Sequence, residues 1–117
     1  MSHPKSCLQP RLRLLGSRGK AFGPGKAELL KRIAASGSIR EAAKRMAMSY
    51  NRAWMLVQEM NRLFRKPLVV SVRGGESGGG AKLTVTGEDV IARYVRMERA
   101  CLLATQVDWK ALHRLVR

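Results

Sequence analysis

Acidic residues are scarce in this chain: 8 Asp and Glu stand against 23 Lys and Arg in 117 residues, a formal net charge of +15. Aromatic residues are also few, at 5%, which argues against a protein that works by stacking single-stranded bases. The two cysteines, Cys7 and Cys101, lie far apart and match no metal-ligand spacing. Ordinary reduced thiols explain them better than a disulfide framework does. His3 and Cys7 stand four apart, but no further ligand accompanies them, so no metal site is expected there. No apolar run approaches the ~18 residues of a membrane span, and the first residues lack the apolar stretch of a signal peptide. The expected location is the cytoplasm. The histidines, His3 and His113, sit near the ends, and no nucleophile–base pair is evident. The chain is therefore read as neither an enzyme nor a cofactor carrier.

What is present is positive charge on a chain of ordinary globular composition, 45% hydrophobic. Its length suits one domain. Such a surface attracts polyanions, and nucleic acid is the first partner to consider. Charge alone does not separate DNA from RNA or an anionic membrane.

Residues 1–10 carry two prolines and no apolar periodicity, and read as a flexible N-terminal arm. The Arg11-Leu12-Arg13-Leu14-Leu15 alternation suits a half-buried strand, and Lys20-Ala21-Phe22 a returning one. Gly23-Pro24-Gly25 reads as a break. From Lys26 the period turns helical, with Leu29, Leu30, Ile33 and Ala34 on one face and Gly37 as a C-terminal cap. Ser38-Ile39-Arg40-Glu41 fits a reciprocal capping box, so a second helix begins near Ile39. After a turn of two or three residues, Ser49 caps a third helix running to about Phe64, and Pro67 forbids its continuation. Strands are expected over Leu68–Arg73 and Ala81–Thr86, separated by the flexible Gly74–Gly80 loop. Thr86 is read as the cap of a last helix with Glu88 and Asp89 in its first turn. That helix has an apolar stripe of Val90, Ile91, Tyr94, Val95, Cys101 and Leu102, and a weaker helical pattern runs on to Arg117 with Trp109, Leu112 and Val116 on one side.

Three helices followed by a hairpin give a mainly α fold with small β content (α+β), a winged helix-turn-helix with an N-terminal strand pair. The expected organisation is an arm over 1–10, the DNA-binding domain over 11–86 and a C-terminal helix over 87–117. Within the domain, the helix-turn-helix spans about 38–64 and the wing about 68–86. A helix-turn-helix needs small residues where its helices cross, a tight turn and a second helix with one buried and one readable face. Ala42 and Ala43 meet the first need, and Met46-Ala47-Met48 the second. At ~100° per residue, Ala53, Val57, Met60 and Phe64 fall on one side of the second helix, and Asn51, Met55, Gln58 and Arg62 on the other. The outer set holds amides, a guanidinium and an apolar probe, which is the chemistry that reads base edges. Ser49, Tyr50 and Arg52 lie in the first turn, where the helix end meets the groove and its phosphates. Trp54 is assigned a position beside the core.

The glycine loop lacks the Gly-Lys-Ser/Thr ending of a phosphate loop, and so does Gly25-Lys26. It reads instead as a wing tip along the DNA backbone or minor groove, with Gly78 and Gly79 at the tip and Arg73 and Lys82 flanking it. Lys44 and Arg45 on the bracing helix are further backbone candidates. Lys5, Arg11, Arg13, Arg18, Lys20 and Lys26 all precede the first acid, Glu28.

The run Ser38-Ile39-Arg40-Glu41-Ala42-Ala43-Lys44-Arg45-Met46-Ala47-Met48-Ser49-Tyr50-Asn51-Arg52-Ala53-Trp54, with Glu59-Met60-Asn61 and the Gly74–Thr84 wing, resembles the helix-turn-helix of the ModE-type molybdate-responsive regulators of bacteria, itself related to the LysR type. The resemblance covers roughly Arg11 to Arg99. It implies a homodimeric bacterial repressor or activator on a two-fold symmetric, palindromic double-stranded DNA operator. The apolar stripe of the last helix exceeds what one small domain needs to cover, which makes that helix the expected dimer element. The alternative is that the stripe packs on its own winged helix. Full-length members carry molybdate-binding domains after the winged helix. This chain ends where they would begin, so it reads as a stand-alone member or a DNA-binding fragment, and molybdate binding by it is not expected. Non-specific packaging of DNA or RNA, and a winged helix used for protein interaction, are the competing readings.

Overall fold

A computed structural model describes residues 6–73 and 80–117. The chain runs β1 (Leu14–Leu15), β2 (Ala21–Phe22), α1 (Pro24–Ser36), α2 (Ile39–Arg45), α3 (Tyr50–Leu63), β3 (Val69–Val72), β4 (Gly80–Leu83), α4 (Val85–Ala104) and α5 (Gln106–His113). The strands form two separate antiparallel pairs, β1 with β2 and β3 with β4. This is a winged helix of the α+β class.

The first helix starts earlier than its sequence suggests. Pro24 occupies its first turn rather than breaking the chain, because that position has no intrahelical partner for an N–H and proline's fixed φ already suits a helix. Gly37 ends α1 at φ 72°, a left-handed conformation that glycine adopts without a Cβ penalty, and its N–H donates to the Ile33 carbonyl at 2.8 Å. Ala34, expected on the inner face, is exposed, and Ala27 is buried in its place.

Half of the expected capping box forms at α2. Ser38 Oγ accepts from the Glu41 N–H at 3.1 Å. The Ser38 N–H donates instead to Ser36 Oγ at 3.2 Å, and the Glu41 carboxylate lies 3.7 Å from Lys44 Nζ. The following turn is tight enough that Ala47 adopts φ 54°. Ser49 then caps α3 by accepting from the Arg52 N–H at 3.1 Å. Ala42, Ala43 and Ala53 are buried, and side chains of this size allow close helix crossing.

The core centres on Phe22, Leu29, Leu30, Ile33, Val57, Met60 and Leu68, all almost wholly buried. Phe22 meets Phe64 and Tyr94 edge-on, at centroid distances of 5.8 and 5.4 Å. The Tyr94 hydroxyl donates to the Leu12 carbonyl at 2.7 Å, which ties α4 to the segment leading into β1. The strand expected from Arg11 is confined to Leu14–Leu15, and both leucines are exposed.

The wing pairs Val69 with Leu83 and Val72 with Gly80. The expected strand to Thr86 stops three residues sooner, and Thr84 rather than Thr86 caps α4. Thr84 Oγ1 accepts from the Gly87 N–H at 2.9 Å and donates to the Pro67 carbonyl at 2.7 Å. A Cβ on Gly87 would run into the Leu68 carbonyl oxygen, so the helix start and the strand pass as close as backbone atoms allow.

The span read as one C-terminal helix is two. Thr105 ends α4 and begins α5, and its hydroxyl donates to the Cys101 carbonyl at 2.6 Å, the local back-bonding that bends helices. The apolar stripe also divides. Val90, Ile91 and Tyr94 pack on the core, whereas Leu102, Leu103, Val107, Leu112, Leu115 and Val116 are exposed. Among the described residues, no helix is long and apolar enough to cross a membrane, and no group of three potential metal ligands occurs.

Candidate nucleic-acid interface

Three consecutive residues hold α3 in place from three sides. Met60 is buried in the core. Glu59 forms ion pairs with Lys26 at 2.9 Å and Lys20 at 3.4 Å, which anchors the helix to α1 and to the N-terminal strand pair. The hydrogen bond from Lys26 holds the Glu59 carboxyl below its ordinary value of 4.5, and partial burial opposes that shift. Asn61 reaches the wing: its Oδ1 accepts from the Leu68 and Val69 N–H groups at 2.8 and 3.1 Å, and its Nδ2 donates to the Val69 carbonyl at 3.0 Å. The wing is also held from the other side, where the Ala81 N–H donates to the Gly37 carbonyl at 2.9 Å.

With α3 fixed in this way, Ala53, Val57 and Met60 face inward, and the opposite stripe is open. Asn51, Arg52, Met55 and Arg62 are exposed, and Gln58 is half-buried. Ser49 uses its hydroxyl as the helix cap, so its acceptor already serves α3 itself. The first turn of α3 contains no acid, and Glu59, the one acid in the helix, is neutralised by its two lysines. The N-terminal end of α3 is thus electropositive by side-chain charge and by helix dipole alike.

Between α3 and the wing lies an open groove of about 810 Å³, lined among others by Arg40, Tyr50, Trp54, Gln58, Val70 and Arg73. Three residues singled out from the sequence, Tyr50, Gln58 and Arg73, thus share one groove. Asn51, Arg52, Met55 and Arg62 lie outside its lining, as do Lys44, Arg45 and Lys82. Lys44 stands beside Glu41, and Arg45 and Lys82 are exposed. Gly78, Gly79 and the basic residue Lys5 lie outside the described residues.

Two members of the groove escaped the sequence reading. Trp54 is not beside the core but 47% exposed in the groove. Arg40 sets its guanidinium over the Tyr50 ring, 4.6 Å from the centroid, a cation–π geometry. The signal for Trp54 was angular, since it stands four residues before Gln58 and three after Asn51. Arg40 had none, because its partner lies across the turn.

Residues 25–88 match the bacterial regulatory helix-turn-helix protein family of lysR type. The chain is 42% identical over 85 residues to the molybdenum-pterin-binding protein MopB of Rhodobacter capsulatus, covering 73% of this chain and 32% of that protein. It is 42% identical over 80 residues to the molybdenum transport protein ModE of Azotobacter vinelandii, covering 68% of this chain and 30% of that protein. With the DNA-binding transcriptional dual regulator ModE of Escherichia coli K12 it shares 46% identity over 71 residues, 61% of this chain and 27% of that one. In each case the match spans about a third or less of the relative's length.

Proposed function

The chain belongs to the lysR family of bacterial regulatory helix-turn-helix proteins, and from that membership we propose that it is a sequence-specific double-stranded DNA-binding transcriptional regulator rather than an enzyme. The observation that carries the reading is the anchoring of α3 on three sides while Asn51, Met55, Gln58 and Arg62 stay accessible along one stripe. Rigid placement of a mixed amide, guanidinium and apolar face is what base-edge reading requires. Phosphate contacts come from Arg52 in the first turn of α3, from Lys44 and Arg45 on α2 and from the flanks of the wing, Arg73 and Lys82. Gly78 and Gly79 are assigned a further contact to the backbone.

The regulator acts as a homodimer on a palindromic operator in the cytoplasm. Exposed leucines and valines of the far half of α4 and of α5 support a pairing surface there, since an apolar patch of this extent on a small chain marks an interface. The function is tested by incubating fragments of the source genome with the protein and an excess of random duplex competitor. Recurrent recovery of a few intergenic fragments is expected. Uniform recovery of all fragments would show binding by charge alone.

A further inference from the structure

Trp54 occupies a place that the reading stripe does not explain. At ~100° per residue it lies about 40° from Gln58 and about 60° from Asn51, on the flank of α3 that borders the wing. Its indole is 47% exposed, although burying a large aromatic is among the more favourable contributions a side chain makes. The same groove contains buried Val57 and half-buried Val70, together with two cationic side chains, Arg40 and Arg73. Arg40 is held in place by its stack on Tyr50. An exposed indole in an otherwise mainly polar groove, beside two cationic side chains, suits an apolar group carried on a polyanion. In the major groove of DNA, that group is the C5 methyl of thymine.

We propose that Trp54 is a specificity-determining residue whose indole packs on a thymine methyl in each half-site, while Arg40 and Arg73 hold neighbouring phosphates. This rests on the DNA-reading assignment of α3. A half-exposed indole next to Gln58 extends the reading stripe by one base position toward the wing.

The test uses the duplex recovered by selection, with each thymine replaced in turn by deoxyuridine, which removes only the methyl. In each half-site one such replacement, made singly, lowers wild-type affinity about fourfold, the loss of one buried methyl-sized group. In Trp54→Ala that same replacement costs nothing, while penalties at other positions persist. A purely structural role for Trp54 would leave the uridine profile unchanged. A second measurement keeps Trp54 in place: in Trp109→Phe it is the one remaining tryptophan, and its emission changes more on saturation with the thymine duplex than with the uridine duplex. Identical uridine penalties in wild type and Trp54→Ala would overturn the proposal. If that variant fails to fold, equal emission changes on the two duplexes would overturn it instead. If selection recovers no consensus, the assignment of α3 itself fails and the proposal with it, whereas a consensus indifferent to Trp54 defeats the proposal alone.

Discussion

Asn61 and Val69 bond each other twice: Asn61 Nδ2 donates to the Val69 carbonyl at 3.0 Å, and Asn61 Oδ1 accepts from the Val69 N–H at 3.1 Å. The side-chain amide mimics the pairing of a neighbouring strand and joins α3 to the wing at its base. Asn61→Ala leaves the Leu68 and Val69 amides and the Val69 carbonyl without these partners. The expected loss is about 1–3 kcal/mol of stability, read by denaturant unfolding, with faster amide exchange at Leu68 and Val69. An unchanged midpoint and unchanged exchange at these amides would contradict the latch.

Gly87→Ala forces a methyl against the Leu68 carbonyl, where only backbone atoms stand to give way. Overpacking against such a neighbour costs about 1–3 kcal/mol or more. Gly25→Ala is the control, since a Cβ there meets nothing within 4 Å. It lies inside α1 and gains up to about 1 kcal/mol from helix propensity. Thermal unfolding of the two variants should move in opposite directions.

Glu59 makes stability depend on pH in one direction. Its folded pKa lies below the ordinary 4.5, chiefly through the Lys26 hydrogen bond. The stabilisation is therefore fully present above the unfolded value and is lost as pH falls through the folded one. Denaturant unfolding of wild type and Glu59→Gln should differ most at neutral pH and converge as the pH drops below 4.5. A difference that stays constant through that range would show that Glu59 contributes through packing rather than charge.

The proposed dimer surface predicts a change of mass. Val107 and Leu112 are 82% and 55% exposed on α5, which buries none of its own residues. Val107→Asp with Leu112→Asp should leave the winged helix folded and convert a dimer to a monomer in sedimentation equilibrium. Operator affinity should fall sharply, because two half-sites no longer bind as one unit. A monomeric wild type, or a dimer insensitive to both changes, would remove α5 from the interface.

Features set by a few neighbouring residues were legible in the sequence. Ser38 and Ser49 cap through amides three residues away, Gly37 takes the left-handed turn, and the inward face of α3 follows its spacing. Features decided across the fold were not. Thr84 rather than Thr86 starts α4 because its hydroxyl and N–H meet Pro67 and Leu68, which no local pattern discloses. Pro24 reads as a breaker next to Gly23 and Gly25 until the helix it opens is seen. Trp54 reads from the sequence as a residue beside the core, since large aromatic side chains are usually buried. The wing covers one flank of α3 and leaves that indole at the mouth of a groove. The roles of Glu59 and Asn61 were equally hidden, since their partners Lys20, Lys26 and Val69 come from other elements.

Sequence reading by the outer stripe of α3 is open to a direct test, a selection from randomised duplexes at near-physiological salt. Wild type and the triple variant Asn51→Ala, Gln58→Ala, Arg62→Ala are run side by side, and the retained DNA is sequenced. Wild type should yield a two-fold symmetric consensus, with half-sites about 34 Å apart. The variant should keep salt-dependent retention, which depends on phosphate contacts, but lose the consensus. Retention of DNA without any consensus by wild type, or the same consensus recovered equally well by the variant, would contradict sequence reading by that stripe.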